Sequence, residues 1–84
     1  MKTDSTIARE RVLWIAMYLV KYGEIDYGTA RSYLDQCSLR SYRRYAQTLR
    51  NAGIILEESG RNNGRLGLYR YLGFSPSLAE CVRA

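Results

Sequence analysis

The spacing of apolar residues changes once along the chain, and that change limits the folds that are possible. Up to about Gly53, apolar residues recur every three or four positions, as they do on one face of an α-helix. From Ile54 to Ser59, successive residues alternate between two faces, as in a β-strand. The sequence therefore predicts helices followed by a β-hairpin, within an 84-residue chain of a length that fits one domain.

The first helix is predicted over Ile7–Tyr22, and Gly23 ends it as a left-handed cap. Its core-facing residues are spaced three or four apart: Val12, Ile15, Ala16, Leu19 and Tyr22. The opposite side of the same helix is also apolar and carries Ile7, Trp14, Met17 and Tyr18. A helix with two apolar sides is usually buried on both. We therefore expect the second side to meet either a partner chain or the C-terminal segment with Leu78, Cys81 and Val82.

Two further helices are predicted from their N-cap residues. Asp26 opens a helix that runs from Tyr27 to about Asp35, and Ser38 opens one from Leu39 to about Asn51. Ile25, just before the first of these caps, is expected to form a very short strand. The turn between the two helices ends at Cys37, where a small apolar residue is expected to plug the core.

The hairpin is predicted from a polar, glycine-bounded turn over Ser59–Arg65 and a return strand over Leu66–Leu72. Three helices followed by a hairpin is the order of a winged helix-turn-helix, a mainly α fold with a small β-hairpin, the wing. This domain is predicted over residues 1–74. Residues 75–84 are expected to form a tail or a short helix that begins at Ser75-Pro76.

Several classes of function are disfavoured by the composition. The chain has no histidine, which removes the commonest general base and, with two separated cysteines, any ordinary zinc site. No glycine-rich phosphate loop opens a helix. We therefore expect neither an enzyme nor a cofactor. Without a signal peptide or an apolar run of transmembrane length, the two cysteines are expected to be reduced in a cytoplasmic protein.

The third predicted helix contains four arginines, Arg40, Arg43, Arg44 and Arg50, and no acidic residue. The formal net charge is +5, and only Lys2 and Lys21 among the thirteen basic residues are lysines. No acidic residue lies between Asp35 and Glu57. Arginine forms a planar fork that matches phosphate and guanine. Arginines four apart on a helix, as in Arg40 and Arg44, repel each other by about 0.2–0.5 kcal/mol, which indicates that an anion such as the DNA backbone neutralises them.

The predicted DNA-binding face of this helix contains Arg40, Arg43, Arg44, Gln47 and Asn51. Arginine can pair with guanine and glutamine with adenine in the major groove, so the face offers phosphate anchors and base readers together. Around the hairpin turn, Arg61, Asn62 and Arg65 are predicted to contact the minor groove or the backbone.

The run from Ser38 to Gly53 resembles the DeoR-type winged-helix domain found at the start of WYL-domain transcription regulators, which carries the pattern S-R-R-T-I-x-R-D-I-x-x-L-x-x-A-G. The identical positions are Ser38, Arg40, Arg44, Leu49, Ala52 and Gly53. Tyr45 stands where the family usually has aspartate. The resemblance covers about residues 7–73. It implies transcription regulation, with DNA readout by the third helix at Arg40, Ser41, Arg43 and Arg44. Ser38, the N-cap of that helix, is also predicted to contact DNA.

These observations lead to three alternative functions. The first is sequence-specific binding of double-stranded DNA for transcriptional control, as a homodimer through Ile7, Trp14, Met17 and Tyr18. The second is a protein-binding winged helix that uses the surface around Trp14 and Tyr18. The third is a DNA-bending recombination or architectural factor of a mobile element, whose DNA contacts would be similar.

Overall fold

The computed structural model describes residues 4–59 and 65–76. These residues form three helices and a three-stranded antiparallel sheet in the order β1-β3-β2. Along the chain the elements are α1 (Asp4–Tyr22), β1 (Glu24–Ile25), α2 (Tyr27–Tyr33), α3 (Leu39–Asn51), β2 (Ile54–Glu58) and β3 (Tyr69–Phe74). The described part of the chain is therefore a mixed α/β structure, with the expected short strand at Ile25.

The predicted caps are confirmed. The Asp26 side chain accepts a hydrogen bond from the Thr29 N–H at 2.8 Å, and Ser38 Oγ accepts one from the Ser41 N–H at 3.1 Å. Each bond satisfies a backbone donor that the first turn of a helix leaves free. Gly23 has a φ of +85° and its N–H donates to the Leu19 carbonyl. As a result, α3 has both of its predicted ends and α1 has its predicted C-terminus.

Two helix ends differ from the prediction. α1 begins at Asp4, three residues before the predicted start. α2 ends at Tyr33 instead of Asp35, because Asp35 and Gln36 have φ values of +52° and +58°. That left-handed region is incompatible with a continuing right-handed helix.

The predicted return strand, Leu66–Leu72, is wrong at both ends, since β3 spans Tyr69–Phe74. Leu66 and Gly67 lie in a turn that is held from outside the hairpin. The Leu66 carbonyl accepts from the Tyr27 N–H at 2.9 Å. The Gly67 carbonyl accepts from the Tyr42 hydroxyl at 2.6 Å. Because the carbonyls of Leu66 and Gly67 are hydrogen-bonded to α2 and α3, the pairing of β3 with its neighbouring strands begins only at Tyr69.

Tyr42 lies at the centre of the core and is fully buried. Its ring packs 5.6 Å from the rings of both Tyr27 and Tyr69, centroid to centroid. A Cβ added to Gly67 would lie 2.9 Å from the Tyr42 ring, so the chain passes the ring at a point where only glycine fits without a shift. Burial raises the pKa of Tyr42 far above its usual value, which keeps the hydroxyl a donor.

The core prediction is wrong at Tyr22, which is 58% exposed. It lies at the last turn of α1, and its ring packs on Tyr18 at 4.5 Å instead of entering the core. Ile15 and Leu19 are buried as predicted, with Val12 and Ala16 half-buried against them.

Cys37 is buried, as predicted for the residue that fills the core at the end of the turn. It is a free thiol, and burial raises the pKa of that thiol. The Tyr27 hydroxyl donates to its carbonyl at 2.8 Å and so ties the turn to the start of α2. Cys81 and the predicted C-terminal helix with Leu78 and Val82 lie outside the described residues.

Arg65 joins the hairpin to the start of α2. Its Nε donates to Asp26 Oδ2 at 2.7 Å and its Nη1 to Glu24 Oε1 at 2.8 Å. Burial alone would raise the pKa of Asp26, but hydrogen bonds from Thr29 and Arg65 outweigh it, so this pKa is lowered. Asp26 is therefore both the N-cap of α2 and the partner of the hairpin arginine.

We expect Arg65→Ala to lower the free energy of unfolding by about 1 kcal/mol at pH 7. The loss is modest because solvent partly screens the ion pairs of Arg65 with Asp26 and Glu24. Because the folded-state pKa of Asp26 is depressed, this stabilisation is complete above the ordinary value of 3.8 and disappears as the pH falls through the folded-state value. Urea unfolding of the unsubstituted protein and of Arg65→Ala, from neutral to acid pH, measures this effect. The difference between their free energies of unfolding should become smaller as the pH falls.

The matched control is Arg70→Ala, because Arg70 Nε lies 3.8 Å from Glu24 and the side chain is more exposed. It should change stability by less than about 0.5 kcal/mol. Equal losses for the two variants would contradict the special role of Arg65.

Candidate nucleic-acid interface

The orientation of α3 follows from its buried side. Tyr42, Tyr45, Ala46 and Leu49 are buried in the core. The residues on the opposite side are all exposed: Arg40, Arg43, Arg44, Gln47 and Asn51. At about 100° per residue, these five fall within an arc of about 100°. The predicted DNA-binding face of α3 is thus brought together on one solvent-facing surface, called here the basic face.

The arginines of the basic face have no acidic partner in the described part of the chain. No carboxylate there forms an ion pair with Arg40, Arg43 or Arg44, whereas Arg65 and Arg70 both pair with Glu24. Their guanidinium groups also make no hydrogen bond within these residues. The basic face therefore holds three cations whose charge is not neutralised within the described structure.

Two amides lie between the arginines. Gln47 Nε2 donates to Asn51 Oδ1 at 2.9 Å, across one helical turn. In angular order around the helix, Arg43 and Arg44 lie at the two edges of the basic face, and Gln47, Arg40 and Asn51 lie between them. The hydrogen bond holds the two amides side by side at the middle of this face.

Ser38 and Ser41 have a structural part at the start of α3. Ser38 Oγ caps the helix and also donates to Ser41 Oγ at 3.1 Å. Ser38 is exposed and Ser41 half-buried. Both serines thus lie at the N-terminal end of the basic face, close to Arg40.

Arg50 has a different environment from the other arginines of the acid-free stretch, the residues between Asp35 and Glu57 that include no aspartate or glutamate. Its Nη2 donates to the Leu56 carbonyl at 3.3 Å, and its guanidinium carbon lies 5.3 Å from the centre of the Tyr69 ring. Both contacts join α3 to the sheet. Arg50 therefore serves the fold, and the acid-free stretch contains one structural arginine besides the three on the basic face.

Arg65, the predicted hairpin residue that the structure describes, does not join the basic face. Arg65 is directed toward Glu24 and Asp26, as described above. Arg61 and Asn62 lie outside the described residues. No local pattern indicates the carboxylate partners of Arg65, because they lie 39 and 41 positions earlier in the chain.

The residues predicted for a dimer interface fall into two groups. Trp14 and Tyr18 are half-buried against the core, and Trp14 stacks on Tyr33 of α2 at 5.3 Å. Ile7 is half-buried, whereas Met17 is 64% exposed. Leu13 and Val20, which the sequence analysis did not select, are 61% and 59% exposed. Their spacing from Met17, four and three residues, is the signal that would have found them.

No helix in the described segments is both long and apolar enough to cross a membrane. Within the same segments, no group of three potential metal-ligating side chains comes together. In the comparisons with known proteins, no family model, no curated protein and no solved structure matched this chain.

Removing a charge from the basic face is expected to leave the fold intact. Glutamine has a helix propensity similar to that of arginine, and the Arg40–Arg44 repulsion disappears. Arg40→Gln or Arg44→Gln should therefore leave the free energy of unfolding unchanged or raise it by a few tenths of a kcal/mol. Chemical denaturation at low salt measures this difference.

Arg50→Gln is the matched control on the same helix. It loses the hydrogen bond to Leu56 and the contact with the Tyr69 ring, so it should cost about 1 kcal/mol. A comparable loss for Arg40→Gln would show that this arginine has a structural role.

Proposed function

We propose that this chain is a winged helix-turn-helix protein that binds double-stranded DNA and regulates transcription, with α3 in the major groove. The observation that carries the proposal is the basic face. It presents three arginines that have no acidic partner within the described residues, and two linked amides, while the opposite side of the same helix is buried. The resemblance of residues 38–53 to DeoR-type domains supports the same function.

The described architecture is compatible with this class of fold. α2 and α3 are joined by a short turn in which Asp35 and Gln36 are left-handed and Cys37 is buried. Strands β2 and β3 follow α3 as an antiparallel pair, and β1 pairs with the other edge of β3. In helix-turn-helix proteins the second helix of the pair enters the major groove, and α3 holds that place in the chain.

The order of side chains around α3 suggests which residues contact the phosphates and which contact the bases. α3 has 13 residues and is about 20 Å long. With its side chains an α-helix is about 10–12 Å across, which fits a major groove about 12 Å wide. With the middle of the basic face toward the bases, Arg43 and Arg44 at its edges reach the phosphates on the two walls. Arg40 and Gln47 then face the floor, where arginine pairs with guanine and glutamine with adenine.

This division predicts two kinds of defect. Arg43→Ala and Arg44→Ala should weaken binding to all duplexes alike, and each should reduce the slope of log K against log salt by about 1. Arg40→Ala and Gln47→Ala should cost about 1–3 kcal/mol on the preferred site and relax the base preference at one position. Fluorescence anisotropy with a duplex selected from a randomised pool, and with a scrambled duplex, measures both.

Arg70→Ala is the control for charge alone, because Arg70 is an exposed cation on β3 away from the basic face. It should leave the affinity for both duplexes close to that of the unsubstituted protein. If the Arg40→Ala, Arg44→Ala double variant binds duplex as tightly as the unsubstituted protein, α3 is not the DNA-binding helix.

The hairpin contact is proposed for Arg61 and Asn62 on sequence grounds alone. Arg61→Ala should lower the affinity across many sequences, since contacts to the backbone or the minor groove discriminate bases poorly. Arg65→Ala should act mainly on stability, through the pairs with Glu24 and Asp26. A change of preferred base at a single position in Arg61→Ala would contradict this role for the hairpin.

A further inference from the structure

The outward side of α1 carries an apolar stripe, formed by Leu13, Met17 and Val20. These side chains are 61%, 64% and 59% exposed, respectively. They lie on the side of the helix opposite Ile15 and Leu19, which are 1% exposed. The largest apolar patch on a protein surface, typically about 300–600 Å², is often functional.

Two apolar grooves adjoin the stripe. One lies between α1 and α3, has a volume of about 340 Å³, and is lined by Ala8, Val12, Leu13, Ala16 and Leu49, with arginines at its rim. The other, of about 770 Å³, borders Met17 and Val20 and extends to Ile54 and Phe74. The surface thus has a ridge of side chains with grooves beside it.

We propose that a second copy of this chain covers the apolar stripe, with the two α1 helices packed antiparallel about a two-fold axis. Such an interface uses the same patch on both copies, so the patch must be complementary to itself. A ridge with adjoining grooves meets that requirement, because the ridge of each copy can enter a groove of the other. The spacing of four and three residues is also that of a helix-pair seam.

The flanking charges favour the antiparallel arrangement. Glu10 and Lys21 lie on the same flank of the stripe, one near each end. In an antiparallel pair centred near Ile15, Glu10 of one copy lies beside Lys21 of the partner subunit. In a parallel pair the two-fold axis runs along the helices, so this flank of one copy faces the opposite flank of the other, and Glu10 and Lys21 would not meet.

The size of the patch indicates a reversible dimer. Three side chains exposed by about six-tenths provide on the order of 300 Å² of apolar surface, against about 800 Å² per partner in a standard interface. The grooves and the flanks of α1 enlarge the contact, but it stays at the small end of the range. We therefore expect dissociation in the micromolar range.

The proposed seam differs from the one expected from sequence. Trp14 and Tyr18 already pack against the core and each other, so Trp14→Glu would disturb the fold as well as any dimer. Met17→Glu avoids that ambiguity, because Met17 is largely exposed in the single chain. Leu72→Glu is the matched control, since Leu72 is 57% exposed on β3 and lines neither groove.

Sedimentation equilibrium of the full chain, without DNA, tests the proposal from about 1 to about 100 µM. We expect the mass to rise from one chain to two over this range. Met17→Glu should weaken the dimer at least tenfold with an unchanged circular dichroism spectrum, and Leu72→Glu should dimerise normally. A single-chain mass at every concentration would overturn the proposal and point to another cover for the stripe, such as the segment after Pro76.

A charge exchange tests the arrangement of the helices. Glu10→Lys and Lys21→Glu should each weaken the dimer, and the double variant should restore it. Normal dimerisation of Met17→Glu would overturn the seam, and a double variant no better than either single one would overturn the antiparallel pairing. Because mass is measured without DNA, loss of duplex binding in the Arg40 and Arg44 variants is a separate result.

Discussion

The hydrogen bond from the Tyr42 hydroxyl to the Gly67 carbonyl is the contact on which the arrangement of helices and sheet depends. It crosses the core from the first turn of the third helix to the turn before the last strand, at 2.6 Å. Phenylalanine would fill the same space but leave a buried carbonyl without its donor, which is costly. Since this residue sets the rotation of α3 about its axis, it also determines which side chains of that helix face solvent.

The same helix shows how a small domain assigns residues of one type to different tasks. Arg50 packs over a tyrosine ring and donates to a strand carbonyl, whereas Arg43, seven residues earlier, is exposed and has no ion-pair partner in residues 4–59 and 65–76. The tyrosines are divided in the same way, with Tyr42 in the core and Tyr33 at the surface beside Trp14. Position relative to the buried side of the helix, and not residue type, decides the role.

The parts of the structure that depend on neighbouring residues could be predicted from the sequence. Both ends of α3 follow from Ser38 and from the glycine after the helix, and its exposed face follows from the helical repeat. The start of β3 could not be predicted, because helices distant in sequence hold Leu66 and Gly67 in a turn. Likewise, periodicity placed Tyr22 in the core, although its exposed ring packs on Tyr18 of the same helix.

The double use of Asp26 has a mechanical consequence. Its two carboxylate oxygens hold different parts of the chain, one the first turn of α2 and the other the root of the hairpin. A force that pulls the hairpin outward therefore acts on the cap of α2 before it reaches the core. The hairpin and α2 should move as one rigid body, and fraying at the start of α2 should accompany any large swing of the hairpin.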